Sequence, residues 1–101
     1  MSYFMYDVMG GTVDEPDPKA MRRVLDGLAN ADDEHPDVSL SHESGWRLSA
    51  FRSGLLIWEN TEDSSVAPVE MREVTREEIL RLFRLLAAGD IASVEALPWQ
   101  R

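Results

Sequence analysis

The stretch from Asp37 to Asn60 constrains this chain more than any other. DVSLS (37–41) alternates Val38 and Leu40 against polar residues, and HESG (42–45) turns the chain. Trp46, Leu48 and Ala50 share one face of the next stretch, while Arg47, Ser49 and Phe51 share the other. Arg52-Ser53-Gly54 turns it again, and Leu55–Asn60 follows, apolar on both faces through Leu56 and Ile57. Period-2 alternation broken by short glycine turns predicts an antiparallel meander. Val69 and Met71, entered from Pro68, fit a brief further strand at an edge.

Two helices flank the meander. Before it, Asp17 is placed as an N-cap and Pro18 at the first helical position. Asp14, Glu15 and Asp17 suit the positive end of the helix dipole. Ala20, Met21, Val24, Leu25 and Leu28 recur at helical spacing, and Asn30 is placed to close the helix. After the meander, Thr75 and Glu78 form a T-x-x-E capping box, with Val74 and Ile79 spaced as a hydrophobic staple. Gly89 fits the C-terminal cap, and Glu77 and Arg81 are spaced as an i,i+4 ion pair. The apolar arc of this helix, Ile79 through Ala87, is wider than one sheet face needs. It predicts further cover, from a short helix over 90–96 or from a second subunit. Trp99 is expected to fold back onto the core.

The first segment, Ser2 to Met9, is apolar at nearly every position, which reads as a strand covered on both sides and ended or bulged at Gly10-Gly11. The fold expected is α+β: one antiparallel sheet of four or five strands, with helices 18–29 and 76–88 on one face and a short C-terminal helix. The order is β-α-β-β-β-(β)-α-α, within a single domain spanning residues 1–101. A chain of this length buries roughly 60–70% of its unfolded surface, so one core can hold it.

Charge and residue usage exclude several functions. Nineteen acidic residues against ten basic ones give a formal charge of −9, which opposes nucleic acid and anionic membranes and favours a basic protein partner. The ten basic residues are nine Arg and one Lys, a bias that codon usage in a GC-rich genome would give and that selection of Arg for bidentate pairing would also give. With no cysteine, disulfides, Cys-ligated zinc and thiol catalysis are ruled out. MSYFMYDVMGG lacks the basic residues of a signal peptide and carries Asp7 in its apolar run, so a cytoplasmic location is expected.

Motifs for chemistry are sparse. His35 lies beside Asp32, Asp33, Glu34 and Asp37, but the spacing matches no ordered metal loop, so no metal is expected. His42-Glu43 pairs an imidazole with a carboxylate, yet neighbours on an extended chain point to opposite faces. Ser53 sits in R-S-G rather than a nucleophile elbow, and the acids after Gly10-Gly11 would repel phosphate. No cofactor site is expected, and the chain reads as non-enzymatic.

The alternation sends Trp46 and Trp58 inward, which gives Trp46→Ala an expected cost of ~3–5 kcal/mol. Arg47, Phe51, Arg52 and Glu59 are left on or near the outer face as the candidate partner-binding set, joined by the acidic loop residues Asp32, Asp33 and Glu34. Arg47→Ala is expected to leave the fold intact.

GWRLS (45–49), LLIWEN (55–60) and the terminal PW (98–99), in a small acidic cysteine-free chain, resemble immunity proteins of bacterial polymorphic toxin systems. The resemblance is one of type and covers the whole chain. It implies stoichiometric binding to a toxin domain without catalysis. Two other readings stand beside it. One is a small-molecule-binding or enzymatic domain with a pocket between the sheet and helix 76–88. The other is a homodimer formed through that helix or an open strand edge.

Overall fold

The computed structural model describes residues 2–100. Its elements follow the order β1 (Tyr3–Tyr6), β2 (Thr12–Asp14), α1 (Pro18–Asp26), β3 (Asp37–His42), β4 (Trp46–Phe51), β5 (Leu56–Asn60), β6 (Val69–Met71), α2 (Arg76–Ala87) and α3 (Ile91–Glu95). The class is α+β, with one wholly antiparallel sheet ordered β2-β1-β3-β4-β5-β6. The sheet has six strands rather than four or five, and there are three helices.

The extra strand comes from the N-terminal segment, which is a hairpin rather than one long strand. Asp7 makes the turn. Its carboxylate accepts the amides of Met9 and Gly11, each at 2.9 Å, while its own N–H donates to Gly11 O at 2.8 Å. Thr12–Asp14, of which the sequence reading places only Asp14, at the approach of the first helix, returns as an edge strand. The expected cover on both faces of β1 is also wrong. Met5 is fully buried, but Phe4 and Tyr6 stand on the outer face, where no helix packs, and meet edge to face at 5.1 Å.

The meander forms as expected, with antiparallel strands joined by the two predicted turns. Met5, Leu40, Leu48, Trp58 and Val69 line up across the strands, and Val38, Ala50, Leu56 and Met71 form the row beside them. These rows face the helices. Three hairpin turns share one design, D-V-M-G, H-E-S-G and F-R-S-G: in each the glycine amide donates to the first residue's carbonyl, and the glycine takes φ of 84–92°.

Asp17 caps α1, its carboxylate accepting from Ala20 N at 2.8 Å. The helix is shorter than expected, because Gly27–Asn30 tightens into a 3-10 turn. Thr75 caps α2 through Glu78 N, but the expected Glu77–Arg81 pair does not form. Arg81 Nε donates to Glu78 Oε1 at 2.9 Å, while Glu77 reaches across to Arg22 on α1 at 3.0 Å. Arg76 donates to Leu25 O at 2.6 Å, so the start of α2 is tied to the end of α1.

The wide apolar arc of α2 is covered within the chain. Ile79, Leu80, Leu82, Phe83 and Leu86 are buried against the sheet, α1 and α3. Leu40, Leu48, Leu82, Phe83 and Leu86 are fully buried and fill the space between sheet and α2. The pocket needed there by a small-molecule site is therefore closed by packing. Trp99 folds back as expected, stacking on Trp58 with ring centres 6.1 Å apart and donating from Nε1 to Val94 O at 2.8 Å. Among the described residues no helix is long and apolar enough to cross a membrane.

Candidate functional site

The outer face of the sheet carries no helix, and its side chains are uneven in size. One row across the strands reads Tyr6, Ser39, Ser49, Ile57; the next reads Phe4, Ser41, Arg47, Glu59. Small serines at the centre, between large neighbours, make a depression. Ser39 and Ser49 are each only 6% exposed although no element lies over them. Tyr6, Phe51, Ile57 and Arg47 stand around this floor, and Glu34, His35 and Pro36 of the loop before β3 close one side. The result is a cleft of about 380 Å³.

Its charge is unbalanced. The cleft is lined by Asp7, Glu34, Asp37 and Glu59 but by a single arginine, Arg47. Arg47 reaches Glu59 directly across the strand pair, with Nη2 at 2.7 Å and Nε at 3.1 Å from the same oxygen, Oε1. Asp37 opens β3 opposite Phe51. Burial pushes its carboxyl above the usual range and Glu59 pushes it further, while Arg47 pulls it back only in part. One guanidinium thus serves two carboxylates and is already engaged by one of them.

The sign of this shift fixes a pH dependence. A carboxyl whose folded pKa is raised favours the fold below its unfolded pKa and loses that contribution as pH rises through the folded value. Asp37→Asn is therefore expected to leave thermal stability at pH 7 equal to or above that of the unmodified chain, with the difference vanishing near the acid end of a Tm–pH series. A lower Tm at pH 7 would show that the Asp37 charge is well compensated. Arg47→Ala should do the reverse at pH 7, by roughly 1 kcal/mol after solvent screening of this part-exposed group.

Of the seven residues singled out from sequence, the structure brings Glu34, Arg47, Phe51 and Glu59 to this cleft. Three lie elsewhere. Arg52 leaves the face and donates to Ala29 O at 3.3 Å, at the end of the 3-10 turn. Asp32 is spent on its own loop, accepting His35 N at 2.7 Å and Glu34 N at 3.0 Å, bonds that hold its carboxyl below the usual range. Asp33 is exposed in the same loop and is not part of the lining. Tyr6, Ser39, Ser49 and Ile57 are not among the seven, and Asp37 enters the sequence reading only as a neighbour of His35. The polar positions of β3 and β4 mark the two serines in the sequence, but Tyr6 is hidden by the apparent two-sided burial of the first strand.

The histidines do no visible chemistry. His42 is buried; its Nδ1 receives Ser44 N at 3.1 Å and lies 2.8 Å from Ser44 Oγ. Glu43, beside it in sequence, accepts Ser2 N at 3.0 Å. His35 Nδ1 is 3.3 Å from Asp32 Oδ1, without the geometry of a hydrogen bond. Comparison of the chain with protein-family models, with curated proteins and with solved structures finds no match in any of the three.

Proposed function

We propose that this chain is a non-enzymatic binding module of the bacterial cytoplasm that takes a basic segment of a partner protein into the outer-face cleft, in the manner of an immunity protein neutralising a toxin. The observation that carries the reading is the part-buried Asp37 carboxylate beside the Arg47–Glu59 pair, whose one guanidinium is already engaged by Glu59, above a floor of Ser39 and Ser49. An incoming arginine or lysine would supply the missing charge, and Tyr6, Phe51 and Ile57 would pack against its apolar stem. The net charge of −9 favours the same partner at long range.

The test compares the chain with its Asp37→Asn/Glu59→Gln double variant, each immobilised at low salt against a lysate of its own organism. A basic protein that binds the first stoichiometrically, is released by salt and is lost from the second supports the reading. Equal retention by both, or a partner that is not basic, overturns it. Loss of about tenfold or more in affinity is expected for the double variant, since two charge pairs at a desolvated contact are removed.

A further inference from the structure

The tryptophans gather at a different place, on the helix side of the sheet near the chain's end. Trp46 and Trp58 stack at 4.5 Å with their planes 6° apart, and Trp99 stacks on Trp58 with planes 15° apart. These are all three tryptophans of the chain. Together with the loop before β6 they wall an open cleft of about 520 Å³, within the range of small-molecule sites. Val66, Ala67, Val69 and Leu97 complete its apolar lining, and Glu95 is its one charged residue among the described residues. It shares no lining residue with the outer-face cleft.

Two features set this place apart from ordinary core. Trp46 and Trp99 are only half-buried, although burying indole is among the largest gains a sheet can make. And Trp58, 3% exposed, holds an indole N–H with no acceptor, an unpaired donor of the kind that folded proteins rarely retain.

We infer that this cleft is a second binding site, for a small organic cation that carries an apolar ring or chain. Indole faces carry negative electrostatic potential and attract quaternary ammonium and guanidinium groups. Among the described residues of the wall the one formal charge is Glu95, whose sign holds a cation and rejects an anion. The apolar lining suits the ring or chain that carries the charge.

The test is a titration of the full chain, followed by the three indole N–H signals in two-dimensional NMR. The probes are benzyltrimethylammonium, benzyl alcohol and benzoate. The cation should move the indole signals saturably and bind about five- to tenfold more tightly than benzyl alcohol, with benzoate weakest. Glu95→Gln, at an exposed position, should weaken the cation about threefold and leave benzyl alcohol unchanged. Trp46→Leu should weaken it about tenfold; if circular dichroism shows that variant unfolded, Glu95→Gln alone decides. Equal binding of all three probes overturns the inference. So does a cation response confined to amides of the acidic loops, or indifference of cation binding to Glu95→Gln.

Discussion

Trp58→Ala should cost about 3–5 kcal/mol of unfolding free energy, the largest loss expected from any single tryptophan here. Trp58 is 3% exposed and stands in the central row with Leu48 on one side and Val69 on the other. Its ring also supports both other indoles, so truncation opens a void and unstacks two neighbours. Trp46 is half-buried at the strand's start, opposite Asn60, and Trp46→Ala should cost about half as much. Trp58→Phe is the informative companion. It keeps most of the ring and deletes the orphaned N–H, whose burial without a partner itself costs about 1–3 kcal/mol. Its loss should therefore stay below about 1.5 kcal/mol. Urea unfolding followed by far-ultraviolet circular dichroism measures all three, with the midpoint shifting at constant slope. Equal losses for Trp46→Ala and Trp58→Ala would mean that burial does not rank these positions.

That ranking also shows what the sequence could convey. Alternation in 37–60 predicts the meander, the face each side chain takes and the inward direction of Trp58, because a one-residue slip would turn every core side chain outward. Caps at Asp17 and Thr75 are equally legible, since Asp, Thr and the following acids satisfy backbone donors locally. Alternation does not report how far a side chain lies from the end of its strand. Trp46 has the right face but sits at the sheet's margin, where the core thins. Ion pairs are the least legible. The spacing of Glu77 and Arg81 fits one helix, yet Arg22 from another helix takes Glu77, and no local pattern encodes that meeting. The candidate cleft divides in the same way. Arg47, Phe51 and Glu59 follow from strand parity. Asp37 becomes part of the site only because β3 begins where burial and Glu59 act on it together. The first hairpin was missed for a different reason: β2 has three residues, too few to show a period. Its turn, D-V-M-G, nevertheless has the spacing of H-E-S-G and F-R-S-G, and that repeated glycine is the signal that could have found it.

The glycines of those turns differ in what surrounds them, and this gives the second large effect. Gly54→Ala should cost about 2–4 kcal/mol, against about 1 kcal/mol for Gly10→Ala. Both residues hold positive φ, 90° and 84°, so both variants suffer the same kind of backbone strain. Around Gly10 a new Cβ would meet nothing within 4 Å. At Gly54 it would come to 3.0 Å from Val74 O and 3.1 Å from Val74 N, which are backbone atoms and cannot rotate away. Val74 N also donates to Gly54 O at 3.0 Å, and this bond joins the β4–β5 turn to the segment that enters α2. Relieving the clash must lengthen that bond or shift the approach to Thr75, the cap of the helix whose Phe83 and Leu86 are fully buried. The excess of Gly54→Ala over Gly10→Ala therefore isolates the steric part from the conformational part. Hydrogen exchange should localise it, with amides at the start of α2 losing protection in Gly54→Ala and keeping it in Gly10→Ala. Similar losses for the two variants would show that the turn moves freely and that the Gly54–Val74 contact does not hold α2 in place.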